Sequence, residues 1–525
     1  MSADRLIVRG ATVFDGGGDP PFGADVLVED DRIAAIGQLG DFEADELDAT
    51  GRYLTPGFID IHSHSDYTLL VDPRAKSSVY QGVTTEVVGN CGYGCFPIVH
   101  PEMARDSIYG FTEDLPLTWR TATEYFDRLA EAGPAVNVLS LVPNAQLRMS
   151  AMERPGARAS PGEIAHMARL LAEAMEAGAW GYSTGLEYPR EEQATIEEMA
   201  QLCRVARRYG GIYATHTRGR NGDGVAGIAE AIETARRAEI QLQISHLLPR
   251  GGLEAGRRTL ELVHEARERG DNVAFDQHTR PHGFTFLHVA LPPDALDGGP
   301  AELKGRLEDA EQRRTMSGYR GLLPEDLSRV ILLDNPRWPE YARMDIETIA
   351  RDRAQTPHEA IFDLLLGAID GLHQMMVIIP SYSHDQHREV FAHPLCMPAS
   401  DATTLSPDGP LAESLFHGAY TWASWYWRSM VREEQVLSEA EAVRRLTALP
   451  AQTMKLNDRG KVEVGAKADL AIFDHQRFTE RGTTFEPNRL ADGMSHVIVN
   501  GVVTLRDGRL TGRRGGEVLR RSGNG

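Results

Sequence analysis

The sequence predicts an α/β protein in which a (β/α)₈ barrel is joined to a small β domain built from both ends of the chain. Short β-prone segments alternate with helical segments through the middle of the chain, and both ends are rich in short strands and turns. The 525 residues, 42% of them hydrophobic, suffice for a large core. A doubly wound open sheet is the alternative, because a strand count does not prove that a sheet closes.

Both ends of the chain are predicted to form short β-strands separated by turns. Residues 1–56 contain β-prone segments at 6–8, 11–14, 24–28 and 32–36, and residues 448–525 contain others at 468–473, 496–501 and 502–505. We expect these two parts to form one domain rather than two separate appendages. The Arg- and Gly-rich tail from residue 513 is expected to be frayed.

Residues 57–447 make the predicted barrel. Helical spacing of apolar residues is clear at 163–177, 196–209, 224–238 and 256–269. A Pro-, Gly- and charge-rich stretch at 290–345 is long for a connection and is predicted to be an inserted lid, and 375–379 resembles an additional strand. The eight candidate barrel strands lie at 57–62, 85–89, 136–141, 179–183, 211–216, 241–246, 272–276 and 395–401.

Charge and cysteine content exclude several classes of protein. The net charge of −21 argues against a nucleic acid or an anionic membrane as partner. We find neither a signal peptide nor an apolar run of about 18 residues that could cross a membrane. Four cysteines are too few for a disulfide scaffold, so we expect a cytoplasmic protein in which a cysteine near histidines serves as metal ligand or nucleophile.

Histidines at strand ends are the strongest indication of chemistry. His62 and His64 lie two residues apart at the end of the first barrel strand, so both can point into one cavity. Two converging imidazoles suit a divalent metal of the zinc type. Taken alone, the pair could also be a chance His-x-His on a solvated strand end.

Other ligand-type residues share this topological position. His216, His246 and Asp401 end later strands, and the carboxyl ends of barrel strands open onto one face. Cys91 follows the second strand between Gly89 and Gly92, which let the backbone turn and present the thiol as a metal ligand. A helix N-cap is the alternative for Asp401, and a buried structural thiol is the alternative for Cys91.

These motifs, in this order, resemble the amidohydrolase superfamily and, within it, the D-aminoacylase (N-acyl-D-amino-acid deacylase) family. The segment 459–473 is similar to the closing sheet of that family. The matching motifs are Gly57-Phe-Ile-Asp-Ile-His-Ser-His-Ser-Asp66, Gly89-Asn-Cys-Gly92, Gly181-Tyr-Ser-Thr-Gly-Leu-Glu-Tyr188, Tyr213-Ala-Thr-His-Thr-Arg218, Gln243-Ile-Ser-His246 and Ala399-Ser-Asp401.

The resemblance implies a TIM-like barrel with a β-sandwich domain and a mobile lid at 290–345. It also implies Zn²⁺ as cofactor, in one tight site and a weaker second site that could share Cys91. Asp401 would be the general base that takes a proton from the attacking water. The implied tight ligands are Cys91, His216 and His246, and the implied weaker ones are His62, His64 and Asp401.

The implied activity is metal-dependent hydrolysis of a linear, non-peptide amide in a small molecule, foremost an N-acyl-D-amino acid. Two alternatives stay open: an amidohydrolase of the same fold that cleaves a cyclic amide or an acylated natural product, and a non-catalytic binding homologue. A binding protein would have no reason to keep all the ligand-type residues.

Several positions that would contact the substrate differ from the family pattern. Leu247-Leu248-Pro249 replaces a run that often contains lysine, and His417-Gly418-Ala419 replaces His-Pro-Arg. Arg218, His278 and Arg280 could supply the missing anion contact, with Arg218 the first choice and a surface salt bridge its alternative. An aromatic set could line a pocket for a less acidic substrate or serve as ordinary packing: Phe284, Phe286, Trp422, Trp425, Tyr426 and Trp427.

Overall fold

A computed structural model of the protein describes residues 5–41, 43–220, 222–319 and 321–521. The β-prone segments predicted at 6–8 and 11–14 form one strand, whose pairing with the second strand is irregular between Val8 and Ala11. The N-terminal strands are β1 (Arg5–Val13), β2 (Phe22–Glu29), β3 (Arg32–Gly37), β4 (Asp45–Asp48) and β5 (Tyr53–Pro56).

The barrel strands follow, and each strand predicted from the sequence is present. The next ones are β6 (Phe58–Asp60), β7 (Val83–Val88), β8 (Asn137–Ser140), β9 (Val142–Pro143), β10 (Gly181–Gly185), β11 (Ile212–His216), β12 (Leu242–Ile244) and β13 (Val273–His278). Fully buried apolar residues such as Ile59, Ala214 and Met397 fill the interior.

Helices alternate with these strands, and the four predicted ones, α6 to α9, are confirmed. Their starts follow from the sequence: Ser160 and Glu163 form a capping box with Pro161 at the first helical position, and Thr195 caps the next helix. The helices are α1 (Thr68–Val71), α2 (Lys76–Val79), α3 (Pro101–Ala104), α4 (Ala122–Ala132), α5 (Asn144–Ala151), α6 (Pro161–Glu176), α7 (Ile196–Arg208), α8 (Gly224–Ala238) and α9 (Gly252–Glu268).

An insertion with its own small sheet follows β13. The strands β14 (His282–Phe286), β15 (Ile331–Leu332) and β16 (Met376–Pro380) pair antiparallel in the order β14-β16-β15, so the predicted additional strand at 375–379 is β16. The predicted lid, 290–345, lies within this insertion, and its movement stays a prediction. The helices of the insertion are α10 (Pro300–Glu308), α11 (Ala310–Met316), α12 (Ile346–Asp352) and α13 (Pro357–Gly367).

The last barrel strand closes the sheet into a barrel. The strand β17 (Cys396–Ala399) follows α14 (His384–Ala392) and pairs parallel with β13. On its other side the Asp401 amide donates to the His62 carbonyl at 2.9 Å, and the His64 amide donates to the Ala402 carbonyl at 2.8 Å. The last strand is therefore joined to the first. The predicted barrel is confirmed, and the open-sheet alternative is wrong.

The C-terminal part returns to the first sheet. After α15 (Trp422–Trp425), α16 (Glu439–Leu446) and α17 (Ala448–Met454), the chain forms β18 (Leu470–Phe473), β19 (Met494–Val499), β20 (Val502–Arg506) and β21 (Arg509–Leu510). Because β18 pairs with β5, both ends of the chain share one sheet, in the order β21-β20-β19-β18-β5-β1-β2-β3. The domain division 1–56 with 448–525 stays a prediction.

The C-terminal tail packs against the barrel at the end opposite its mouth. The Leu519 amide donates to the Val138 carbonyl at 2.7 Å, and the Arg521 amide donates to the Gly178 carbonyl at 2.9 Å. The Arg521 guanidinium lies 5.4 Å from the ring centre of Trp180. The prediction of a frayed tail is therefore wrong for 513–521, because this segment finds backbone partners. Residues 522–525 lie outside the described residues. None of the helices in the described ranges has the length and hydropathy that a membrane crossing requires.

Candidate metal centre

The ends of five barrel strands bring the ligand-type side chains together. His62 and His64 follow β6, Cys91 follows β7, His216 ends β11 and His246 follows β12. All of them are buried. Asp401, two residues beyond β17, completes the set at the same mouth of the barrel.

The ligand-type atoms form two groups that share Cys91. One group is Cys91, His216 and His246, and the other is His62, His64, Cys91 and Asp401. Within each group the atoms that could bind a metal lie within 4.8 Å of one another. The Cys91 Sγ lies 3.2 Å from His62 Nε2 and 3.5 Å from His246 Nε2, so the thiol stands between the groups.

The backbone is strained at three of these positions. Cys91, His246 and Asp401 have φ angles of 53°, 36° and 44°, a region that non-glycine residues seldom adopt. The turn before Cys91 requires a glycine, because Gly89 has φ of 78° and a Cβ there would lie 2.2 Å from the Leu141 carbonyl oxygen. Such a conformation persists only where the surrounding structure holds the backbone, and here it falls on three of the six ligand-type residues.

Carboxylates orient the imidazoles from behind. His62 Nδ1 lies 3.1 Å from Asp276 Oδ1, which also accepts a bond from the His246 amide at 2.8 Å. His216 Nε2 lies 3.0 Å from Glu187 Oε2. Metal-binding histidines commonly use one ring nitrogen in this way, which leaves the other nitrogen to the metal.

Burial sets the protonation of the histidines. It lowers the pKa of His216 to about 4, although Glu187 opposes the shift. Burial and the positive charge of Arg220 place the pKa of His246 well below its ordinary value. Both imidazoles are therefore neutral near pH 7, which is the form that binds metals. Burial also opposes the charge of His62, but Cys91 and Asp276 outweigh it and raise the pKa of His62.

The donor set fits a divalent ion of the zinc class. Two neutral imidazoles and a thiol form one group, and two imidazoles and a carboxylate join the thiol in the other. Among the described residues, Nδ1 of His64 and Nδ1 of His246 are buried without a hydrogen-bond partner. The other ring nitrogen of each faces the ligand-type atoms: His64 Nε2 lies 3.2 Å from Asp401 Oδ1, and His246 Nε2 lies 3.5 Å from Cys91 Sγ.

Comparison with known protein families matches residues 45–275 and 366–505 to the amidohydrolase family. The chain belongs to the amidohydrolase family. The resemblance drawn from the motifs is thereby confirmed. This amidohydrolase is 33% identical over 522 residues to an N-acyl-D-glutamate deacylase of Alcaligenes xylosoxydans xylosoxydans, covering 98% of this chain and 96% of the relative. It is 30% identical to a D-aminoacylase of the same organism, covering 98% of each chain.

A solved structure is equally similar. The N-acyl-D-glutamate deacylase from Bordetella bronchiseptica, in complex with zinc and a phosphonate inhibitor that mimics the tetrahedral intermediate, superposes with a TM-score of 0.81. Its sequence is 30% identical, and the match covers 99% of this chain and 100% of that chain. The zinc complex belongs to the relative, and its metal is consistent with the donor set of this amidohydrolase.

The three residues predicted to bind substrate lie in different surroundings. His278 lines a cavity beside His216 and His246. Arg280 is buried and its Nη2 donates to Asp401 Oδ2 at 2.6 Å, so its charge is already neutralised. Arg218 does not line the cavity; its guanidinium donates to Glu230 Oε1 at 2.8 Å and to backbone carbonyls of the neighbouring loop. Arg218 is therefore in the salt bridge that we gave as the alternative to a substrate contact.

The aromatic candidates divide in the same way. Phe284 lines the cavity, together with Tyr109, Tyr188 and Tyr382. Phe286 stacks on Tyr109 at 4.6 Å between ring centres. The remaining four pack in the barrel core away from the cavity, with Trp425 only partly buried: Trp422, Trp425, Tyr426 and Trp427.

Sequence reasoning missed four residues of the site. Glu187 and Asp276 orient histidines, and Arg220 and Tyr382 line the cavity. Glu187 belongs to the motif 181–188, and Asp276 ends the predicted strand 272–276. Acidic residues at or just after strand ends are therefore the signal by which both could be found. Tyr382 lies beyond the insertion, and only the fold brings it to the mouth.

Proposed function

We propose that this amidohydrolase removes the acyl group from N-acyl-D-amino acids by hydrolysis of the amide bond. The observation that carries the proposal is the Cys91, His216 and His246 group beside Asp401 at the barrel mouth. It stands in a chain that is 30–33% identical, over nearly its whole length, to deacylases of that class.

We infer that Cys91, His216 and His246 hold one zinc ion and that His62, His64 and Asp401 hold a second one more weakly, with Cys91 between them. When bound, such an ion supplies Lewis acidity that polarises the amide carbonyl and lowers the pKa of a water molecule. The carboxylates of Asp276 and Glu187 keep the imidazoles in the required tautomer.

Asp401 moves the proton. Burial would raise its pKa, but Arg280 and His64 outweigh burial and hold that pKa well below the usual value, so the carboxylate is ionised. We infer that Asp401 takes a proton from water as the water oxygen adds to the amide carbonyl carbon. The C–N bond then breaks, and Asp401 returns the proton to the leaving nitrogen. The products are a carboxylate and a free D-amino acid.

The side chains of Arg280 and His278 lie beside the Asp401 carboxylate. Arg280 also donates to the carbonyls of Ser400 and Asp401, at 2.6 and 2.7 Å, which fixes the carboxylate relative to the strand end. His278 Nε2 lies 3.8 Å from Asp401 Oδ2. We propose a positioning role for Arg280 in place of the predicted substrate contact.

Zinc as the resident ion, a cytoplasmic location and a small molecule as the only class of partner remain our proposals. The thiol ligand supports zinc over harder cations. All four cysteines lie in the described part of the chain as free thiols, which supports a reducing compartment.

The test is a steady-state assay of zinc-loaded enzyme on the N-acetyl derivatives of D-Met, D-Leu, D-Glu and D-Asp. Their L enantiomers and a cyclic amide serve as comparisons. We expect turnover of at least one D substrate, with the L enantiomer slower. No turnover of any D substrate would refute the proposal, and turnover of the cyclic amide alone would replace it with the cyclic-amide alternative.

A further inference from the structure

Arg220 is a buried cation with unused donors beside the candidate metal ligands. Its side chain is 1% exposed, and it lines the cavity with His216, His246 and Tyr382. Its Nη2 donates to the Leu248 carbonyl and, at 2.6 Å, to the Tyr382 hydroxyl. Nε and Nη1 have no hydrogen-bond partner among the residues that the structure describes. Burying a guanidinium with free donors is costly unless an anion binds it.

The other arginines near the cavity already have carboxylate partners. Arg250 Nη1 lies 3.2 Å from Glu187 Oε2, and Arg280 Nη2 lies 2.6 Å from Asp401 Oδ2. Glu187 also accepts the backbone amide of Arg220 at 2.6 Å but no bond from its guanidinium. Within the described ranges, the surplus positive charge of the cavity therefore lies on Arg220.

Most of the remaining wall of the cavity is aromatic and aliphatic, with Thr285 and the tyrosine hydroxyls as uncharged polar groups. Tyr109, Tyr188, Phe284 and Ile379 line it. A ligand with one carboxylate would meet one available guanidinium and a wall that is otherwise largely uncharged. A second carboxylate would lose its water without gaining a cation, which is unfavourable.

We propose that Arg220 and Tyr382 bind the carboxylate of the substrate, and that the preferred substrates are N-acyl-D-amino acids with an apolar side chain. This inference rests on the proposed deacylase function and narrows it. It sets this chain apart from the N-acyl-D-glutamate deacylase with which it shares 33% identity, whose named substrate carries two carboxylates. Arg220 donates through Nη1 and Nε, and the Tyr382 hydroxyl adds a third donor.

The test compares N-acetyl-D-leucine with its uncharged carboxamide in wild-type enzyme, Arg220→Met and Arg220→Lys. We expect wild type to favour the carboxylate, and Arg220→Met to lower kcat/KM for the carboxylate by about 10- to 100-fold while changing the carboxamide little. Arg220→Lys should retain part of the preference. The control Arg236→Met, on the outer face of α8, should leave both values unchanged.

A second variant guards against misfolding of a protein that lacks a buried arginine. Tyr382→Phe removes only a hydroxyl and should lower kcat/KM by about 3- to 10-fold for the carboxylate alone. Equal losses on both substrates in Arg220→Met and Tyr382→Phe would assign these residues a structural role and overturn the proposal. A higher kcat/KM for N-acetyl-D-glutamate than for N-acetyl-D-leucine would overturn the side-chain preference.

A binding measurement separates the subsite from the deacylase function. Calorimetry gives the Kd of N-acetyl-D-leucine for Asp401→Asn and for Asp401→Asn with Arg220→Met. If wild type hydrolyses no N-acyl-D-amino acid, the function fails, but a Kd raised about tenfold or more by Arg220→Met still supports the carboxylate subsite. The same Kd in both proteins refutes the subsite whether or not the enzyme is active.

Discussion

Asp401 lies where several charged and ionisable side chains meet. Its Oδ1 is 3.2 Å from His64 Nε2 and 3.4 Å from His62 Nε2, and its Oδ2 is 2.6 Å from Arg280 Nη2. Arg280 thus occupies one carboxylate oxygen and leaves the other to the histidines. This division lets one residue be both the ligand of a weaker metal site and the proton carrier that we propose.

Replacement of Asp401 by Asn should abolish turnover and spare the tight metal. We expect kcat to fall by about 10²- to 10⁴-fold, because the amide cannot accept a proton. Elemental analysis should still find metal at the Cys91, His216 and His246 group. The control Asp309→Asn, at the N-cap of α11, should keep the wild-type rate. An unchanged rate in Asp401→Asn would refute its assignment as base.

Glu187 should matter for the metal itself. Glu187→Gln weakens the bond that orients His216, and we expect metal affinity to fall by about 10- to 100-fold. Competition with a chromophoric chelator measures this affinity directly. The control Glu230→Gln alters the partner of Arg218, outside the cavity, and should leave the affinity unchanged. Equal affinities for Glu187→Gln and wild type would contradict the role of Glu187.

Among the secondary-structure elements, the turn after β7 shows why the conformation at a strand end could be predicted from the sequence. A strand followed by Gly89, Asn90, Cys91 and Gly92 indicates a sharp turn that presents the thiol as a ligand, and the positive φ angles of Gly89, Cys91 and Gly92 confirm the turn. Local conformational preference and strand periodicity are enough for such an inference.

The substitution Gly89→Ala tests that turn. The new Cβ would lie 2.2 Å from the Leu141 carbonyl oxygen at a φ of 78°, so the backbone must shift. We expect the free energy of unfolding to fall by about 2–4 kcal/mol and bound metal to be lost along with Cys91 placement. Thermal unfolding and metal analysis measure both effects. The control Gly162→Ala, in α6 with open space around it, should be neutral; a neutral Gly89→Ala would contradict the account.

The insertion and the substrate contacts could not be predicted from the sequence in the same way. The antiparallel pairing of β14, β16 and β15 joins segments that are far apart in the chain, and no local signal fixes their order. Arg218 and Arg220 lie in one loop and carry the same charge. Arg218 contacts Glu230 and Arg220 contacts Tyr382, and these distant contacts decide which of the two side chains lines the cavity. The sequence therefore indicated the ligand-type residues at the strand ends, but it singled out Arg218, which does not line the cavity, and gave no sign of Arg220, which does.

At the level of the whole molecule, the C-terminal tail contacts the barrel at the end opposite its mouth. The tail contributes backbone hydrogen bonds to strand β8 and to the turn before β10, through Glu517, Leu519 and Arg521. Its composition predicted fraying because arginine and glycine are typical of free tails, and the partners that order it are distant in sequence.

Removal of residues 515–525 should destabilise the protein without changing its chemistry. We expect the free energy of unfolding to fall by about 4 kcal/mol, because four backbone hydrogen bonds worth about 1 kcal/mol each are lost. Thermal unfolding of the truncated protein should show a lower Tm, while KM stays at the wild-type value because the mouth is untouched. An unchanged Tm would show that the packing of the tail contributes nothing.

We propose that deacylation depends on a metal ion held by Cys91, His216 and His246. The most direct measurement is a zinc titration of chelator-treated protein, followed by its activity on N-acetyl-D-leucine. If activity depends on this metal, we expect an inactive metal-free protein, recovery with the first equivalent of zinc, and no recovery in Cys91→Ala. Full activity without metal, or full recovery in Cys91→Ala, would contradict it.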